Sequence, residues 1–396
     1  MQRRDFLQTS AFVSASMLAP AFLRGFSNTS SLRSRSGKIL IVVQLSGGND
    51  GLNTIIPYQN DLYYQNRPRL GIPQQEVLKL NDELGLNPVM GALRSLYDQG
   101  HVSIVNSVGY PNPDRSHFRS MDIWHTASGS DEYLTSGWLG RYLDHACGNC
   151  HQPYHALEVD DSLSLALKGT TRNGFAASDP KKLQRATQNK FLKAVAKHDH
   201  SEEEHIAYLY KTMIDSQSSA DYLYQKSKVF QSKVTYPQTA FGKDLKQISE
   251  LITADTATQV YYVSLTGFDT HANQKNQQER LLKQYADGMQ ALVQDLKQNG
   301  LFKDTLIMTF SEFGRRVKQN ASNGTDHGTA NNLYLIGENL GKPGFFNAAP
   351  DLSKLDKGDL IYQIDFRNIY ATILDRWLES PAPKVLGKHF DTLNLI

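Results

Sequence analysis

The sequence predicts an α/β protein: a mainly parallel central sheet with helices on both faces and a helical insertion. Two observations predict it. Short apolar runs rich in β-branched residues occur at 39–45, 102–108, 260–265, 305–310 and 333–336, each of a length that suits a strand buried on both sides. Between them lie longer stretches whose apolar residues recur at helical spacing, and this alternation argues for parallel strands covered on both faces.

The chain opens with Gln2-Arg3-Arg4-Asp5-Phe6-Leu7-Gln8, and a weakly apolar stretch runs from Ala11 to Leu23. A charged head before an apolar middle is the pattern of a cleavable signal, and the paired Arg3-Arg4 marks the twin-arginine route for folded cargo. Ser14, Ser16 and Pro20 interrupt the run, which is shorter than the roughly 20 residues a bilayer-spanning helix needs, so no permanent membrane anchor is expected. Residues 1–26 are therefore read as a signal peptide, 27–37 as a Ser- and Arg-rich linker, and 38–396 as the folded domain. The twin-arginine translocase is the expected partner during export, and the expected destination is periplasmic or extracellular.

Within the domain, the helix over 87–99 has a proline near its start and closes on Gly100. The helix over 277–298 places Leu281, Leu282, Tyr285, Met289, Leu292, Val293 and Leu296 on one face. From about 179 to 255 the chain turns polar and rich in Lys and Gln, with Glu202-Glu203-Glu204 inside it, which reads as a helical insertion or lid. Forty-two basic against forty acidic residues, with no basic cluster, exclude a nucleic-acid footprint.

Cys147-Gly148-Asn149-Cys150-His151 has the letters of a c-type haem attachment site. Haem is not expected, because its attachment needs an unfolded chain outside the membrane whereas Arg3-Arg4 implies export already folded. A local disulfide or two ordinary thiols is the preferred reading; a small structural metal site with His145, His151 and His155 is a further one.

In an open α/β sheet, ligands bind just past the carboxyl ends of the strands. Four polar, glycine-containing clusters stand at such places: Ser46-Gly47-Gly48-Asn49-Asp50-Gly51, Gly267-Phe268-Asp269-Thr270-His271, Ser311-Glu312-Phe313-Gly314-Arg315-Arg316, and Gly324-Thr325-Asp326-His327-Gly328-Thr329 ahead of the 333–336 strand. Any one of them reads as an Asx turn or a surface histidine. Together they would assemble an oxygen- and nitrogen-rich pocket for a divalent metal, with zinc, manganese and calcium not distinguished. A fifth segment, Pro113-Asp114-Arg115-Ser116-His117-Phe118-Arg119, follows the 102–108 strand and opens a helix. Ser116 there is either an attacking hydroxyl with Arg115 and His117 beside it, or a cap shared with Asp114.

At these residues the chain resembles the twin-arginine-exported proteins grouped as domain of unknown function 1501, placed in the alkaline phosphatase and sulfatase superfamily. The resemblance runs from about Lys38 to Trp377-Leu378 and rests on 44–53, Arg115-Ser116-His117-Phe118, Phe268-Asp269-Thr270-His271, Ser311-Glu312-Phe313-Gly314-Arg315 and Thr325-Asp326-His327-Gly328. It implies an alkaline phosphatase-like fold, Ser116 as nucleophile, and Asp50, Asp269, His271, Glu312 and His327 as metal ligands. Glu312-Phe313 stands where the superfamily commonly has Asp-His, so the resemblance implies one ion rather than two. Pro111 stands at the position that formylglycine sulfatases convert, and proline cannot be converted.

The function expected is an exported metal-dependent hydrolase of a small-molecule or polymer phosphate or related ester, with Ser116 or metal-bound water as nucleophile. The alternative is a non-catalytic exported binding protein on a decayed hydrolase fold.

Overall fold

The computed structural model describes residues 37–146, 153–188 and 217–396. The signal, nearly all of the linker, the Cys147-to-Cys150 segment with His151, and Glu202-Glu203-Glu204 lie outside the described residues. Among the described residues, no helix is long and apolar enough to cross a membrane.

Nine strands form the main sheet. They are β1 (Ile39–Ser46), β2 (Val102–Gly109), β3 (Ala156–Glu158), β4 (Phe175–Ala176), β5 (Val260–Thr266), β6 (Thr305–Phe310), β7 (Asn331–Ile336), β8 (Gly344–Phe345) and β9 (Ile364–Asp365). The order across the sheet is β8-β2-β7-β6-β1-β5-β3-β4, with β9 also paired to β2. Every pairing is parallel except the two made by β7, which runs antiparallel to both β2 and β6. The five runs expected to be strands are thus strands, and the sheet is mainly parallel as expected.

Strand β1 explains the continuous apolar run, because alternate side chains enter two different cores. Ile39, Ile41, Val43 and Leu45 join one hydrophobic cluster, whereas Leu40 and Val42 join the other. The first cluster is closed by α1 (Gly91–Asp98), α4 (Ala240–Thr253) and α5 (Gln274–Gln298) through Leu93, Phe241, Leu245, Leu282 and Met289. The second is closed by α2 (His117–Thr126), α3 (Trp138–Ala146) and α6 (Phe366–Arg376) through Ile123, Trp124, Trp138, Phe366 and Tyr370. Burying each such side chain contributes roughly 1.5–3 kcal/mol, which is why both faces of the sheet must be covered.

The seven residues expected on one face of α5 are all buried. The helix begins at Gln274, three residues before the expected start at 277, because the chain at 322–323 supplies acceptors there: Ser322 and Asn323 carbonyls accept from the Asn273 and Gln274 amides. The expected insertion divides. Helix Pro180–Thr187 is capped by Asp179, whose carboxylate accepts from the Lys181 and Lys182 amides, and residues 217–226 are also helical. By contrast, α4 is a core helix and no lid: Phe241, Leu245, Ile248, Leu251 and Ile252 are buried in the first cluster and the helix packs on α5. Of its polar residues only Ser249 is buried, where its hydroxyl donates to Asp295.

Register aligns the strand ends that matter. Ser46 pairs with Thr266, Gln44 with Phe310, and Val108 with Asn331, so four carboxyl ends and the beginning of β7 share one edge. Because β7 is antiparallel, the segment that leads into it reaches the same edge as the segments that leave β1, β2, β5 and β6. All five sequence clusters therefore meet.

Glu158, at the end of β3, is buried with the Ser164 amide donating to Oε2 at 2.6 Å. Burial raises its carboxyl from 4.5 to about 7 against the opposing hydrogen bonds from Ser164. A raised carboxyl pKa stabilises the fold fully below about pH 4.5, and that contribution is lost as pH rises through about 7. Glu158→Gln keeps an acceptor for Ser164 and removes the charge. Urea titrations should find the variant more stable than wild type at pH 8, on the order of 2 kcal/mol, with the gap closing at pH 5.

Candidate metal centre

The approach of the backbone sets the site. Gly47 and Gly48 have φ of 114° and 74°, and a Cβ on Gly47 would lie 2.4 Å from the Asp269 amide nitrogen, one on Gly48 2.3 Å from the Phe313 ring. Only glycine fits both the conformation and the space, and the turn after β1 thereby packs directly on the segments after β5 and β6.

Four side chains converge. The Asp269 Oδ1 atom lies 3.1 Å from His271 Nε2, 3.2 Å from His327 Nε2 and 3.4 Å from His117 Nε2. His271 Nε2 and His327 Nε2 are 2.9 Å apart. His117, Asp269 and His327 each offer a ligand atom within 4.8 Å of the others, with His271 flanking them.

The opposite ring nitrogens determine what these atoms are. His117 Nδ1 faces Glu312 Oε1 at 2.9 Å, His327 Nδ1 faces the Arg115 carbonyl at 2.8 Å, and His271 Nδ1 faces Asp326 Oδ1 at 3.3 Å. In a neutral ring whose Nδ1 donates to such an acceptor, Nε2 presents a lone pair, as a metal ligand requires; a protonated ring donates from Nε2 to Asp269 Oδ1 instead. Three Nε2 atoms face that one carboxylate oxygen, and the His271 and His327 Nε2 atoms face each other. These four spacings, 2.9–3.4 Å, are close to the edge of a tetrahedron, about 3.3 Å for ligands at about 2.0 Å from zinc.

Electrostatics agree with a ligand set. For Asp269, burial would raise the carboxyl, but hydrogen bonds from Arg315 and His327 and the Arg315 charge bring it down to about 2. Burial lowers His327, favouring the neutral ring, while the hydrogen bond to Glu312 raises His117. Arg315 is the organiser: its Nη2 donates to Asp269 Oδ1 at 2.9 Å and to the Phe268 carbonyl at 2.9 Å, and its Nε donates to the Gly48 carbonyl. One buried guanidinium therefore ties the β1, β5 and β6 ends together.

Of the residues assigned from sequence, Asp269, His271 and His327 are brought together, and His117, expected in the catalytic group with Ser116, stands among them. Asp50 needs correction. Its buried carboxylate is held by Arg67 at 2.5 Å and by Gln274, within a network that includes Asn53 and Thr325. Glu312 also needs correction, since its Oε1 accepts from the Gly47 amide at 2.8 Å and faces His117 Nδ1, which makes it a support for a ligand rather than a ligand. Arg115 is ion-paired to the buried Asp359, which Arg316 shares at 3.3 Å, so its charge is already committed. Ser116 is exposed at the start of α2, its side chain makes no capping hydrogen bond, and Asp114 Oδ1 accepts from its amide at 2.7 Å.

Sequence reasoning assigned Arg315 and Asp326 no role of their own, though both stand inside quoted motifs, and offered Arg67 only as a residue that could line a substrate rim or pack a lid, whereas it is buried against Asp50. Phe313 is a wall: its ring lies 4.8 Å from that of His117 and 4.7 Å from that of His327. Such supports are worth about 10- to 100-fold in metal affinity. Glu312→Gln should lower zinc affinity by about that factor in a chelator competition, because the amide holds His117 less basic without removing a ligand.

The family model described as "Protein of unknown function (DUF1501)" matches residues 37–377. No curated protein matches. Among solved structures, the chain is similar to the C-terminal periplasmic domain of EcEptC from Escherichia coli in complex with zinc, at 11% identity and TM-score 0.37 over 80% of this chain and 76% of that one. It is similar also to a protein in the alkaline phosphatase superfamily from Vibrio parahaemolyticus, at 9% identity and TM-score 0.37 over 84% and 65%. A phosphonate monoester hydrolase from Silicibacter pomeroyi matches at 12% identity and TM-score 0.37 over 90% and 78%.

Proposed function

Since the chain belongs to the DUF1501 family, whose description leaves its activity open, we propose from the site itself that it is an exported, metal-dependent hydrolase of a phosphate or related ester. The observation that carries this reading is the convergence of three imidazole Nε2 atoms on the Asp269 carboxylate, a set of donors that a cation can share once the rings are neutral. His117, Asp269 and His327 would hold the ion, with His271 as the fourth donor. When bound, a divalent ion supplies Lewis-acid polarisation of the ester oxygen and lowers the pKa of a hydroxyl beside it.

The chain's own residues do the rest. Glu312, the Arg115 carbonyl and Asp326 fix the tautomers; Arg315 keeps Asp269 ionised; and Phe313 excludes water from one side of the rings. Ser116, one residue from His117 and free of capping duty, is the proposed attacking hydroxyl. The Arg3-Arg4 leader is the basis for proposing export.

Metal analysis of the protein purified from its own compartment, followed by a panel of phosphomonoesters, phosphodiesters and sulfate esters, tests the reading. Bound metal with turnover of one ester class is the expected result. A metal-free protein without turnover would leave the non-catalytic binding role.

A further inference from the structure

Asp359 has a fully buried carboxylate that accepts from two guanidinium groups, those of Arg115 and, from Nε at 3.3 Å, of Arg316. It reaches them from a hairpin that pairs Leu355–Asp356 with Asp359–Leu360. Only Lys357 and Gly358 join the two strands, and both have positive φ, the combination that a tight two-residue turn with the right twist requires. The turn is itself held by Arg316, whose Nη2 donates to the Lys357 carbonyl at 2.9 Å, and Thr329 Oγ1 donates to the Leu360 carbonyl.

Taking a charge out of water is costly even when it is paired, so a buried ion pair is weak evidence of stabilisation. What this one fixes follows from what its two partners carry. The Arg115 carbonyl lies 2.8 Å from His327 Nδ1, and the same segment continues through Ser116 to His117. The Arg316 amide donates to the Asp326 carbonyl at 3.0 Å, and Asp326 Oδ1 lies 3.3 Å from His271 Nδ1. Next to Arg316, Arg315 is bridged through its backbone to His327. One carboxylate therefore fastens the side chains of two residues whose backbones lead directly to the supports of His327 and His271.

We infer that Asp359 is a positioning residue of the metal centre. By holding Arg115 and Arg316 at once it sets the separation of the segment after β2 from the segment after β6, and through them the places of the His117, His271 and His327 rings. The inference rests on the reading of that cluster as a metal site.

Asp359→Asn isolates the role. The amide keeps the shape but offers one oxygen, and its NH2 group faces a guanidinium donor, so one arginine loses its partner. The Arg115 and Arg316 side chains are 39% and 37% exposed, so the released one can turn to water and the fold should survive. Leu360→Ala is the control. Leu360 packs in a third hydrophobic cluster with Ile56, Tyr58 and Leu352, and its truncation loosens the hairpin while the carboxylate stays.

In a chelator competition on the full chain, Asp359→Asn should weaken zinc about tenfold, the low end for a support that does not touch the ion, whereas Leu360→Ala should leave the affinity unchanged. With cobalt in place of zinc, the visible ligand-field bands should shift or weaken in Asp359→Asn and match wild type in Leu360→Ala. Loss of stability alone does not alter the ligand geometry of the folded, loaded protein. Wild-type zinc affinity and cobalt bands in Asp359→Asn, or an equal change in Leu360→Ala, overturn the inference. A wild type that binds neither metal removes the metal reading, and hydrogen exchange on the metal-free chain then decides the positioning. Faster exchange over 113–119 and 313–318 in Asp359→Asn than in Leu360→Ala supports it, and equal exchange overturns it.

Discussion

Replacing His327 with alanine is expected to abolish high-affinity metal binding while leaving the fold in place. His327 sits in the segment before β7, partly exposed, and contributes one Nε2 to a set whose other members come from the segments after β2 and β5. Losing one of three or four ligands leaves a set that no longer surrounds the ion, and the cost should reach several hundredfold or more in zinc affinity. Thermal unfolding with and without zinc reads this directly. At a free zinc concentration near a thousand times the wild-type Kd, wild type gains about 4 kcal/mol from binding, and a variant weakened several hundredfold should gain less than about 1 kcal/mol. A zinc-dependent shift of equal size in His327→Ala would remove the metal centre from this location. The effect should also depend on pH in a defined direction. Metal competes with protons for Nε2, and His117 is raised by its hydrogen bond to Glu312 whereas His327 is lowered by burial. Affinity should therefore begin to fall above the usual imidazole range through His117 and steepen only at lower pH, when His327 also takes a proton.

How much of this site could be read from residues alone follows from what each residue needs. The strand ends were legible because a strand buried on both faces must be mostly apolar, as in β1, where Gln44 alone interrupts Ile39 to Leu45, and polar letters next to glycines mark where it stops. The segment before β7 was legible for a less obvious reason: it precedes its strand, and only the antiparallel course of β7 brings it to the shared edge. What the letters could not distinguish is a carboxylate that binds metal from one that binds an arginine or an imidazole. Asp50 Oδ2 is held by Arg67, seventeen residues away, and Glu312 Oε1 by His117 and the Gly47 amide. Both pairings depend on where backbones cross, and no local pattern encodes that. Helix α4 was misread for a related cause, since its Lys, Gln and Glu residues dominate the composition while Phe241, Leu245, Ile248 and Leu251 do the packing.

Ser116→Ala is expected to keep the metal and lose turnover. The substitution removes a hydroxyl that makes no capping hydrogen bond, at an exposed position, so stability should change by less than about 0.5 kcal/mol. The absence of a cap bond matters to the argument. Serine at a helix start ordinarily accepts from an amide two or three residues on, and its loss then costs about 1 kcal/mol. Here the Asp114 carboxylate accepts from the Ser116 amide instead, and the first turn carries His117 into the cluster. If this hydroxyl is the attacking group, as proposed, removing it should cost at least about 10³-fold in kcat while zinc content stays at the wild-type level. Wild-type turnover in this variant would assign the attack to water. In that outcome the serine has neither a structural nor a chemical task, and the reaction would rest on the imidazole and carboxylate set alone.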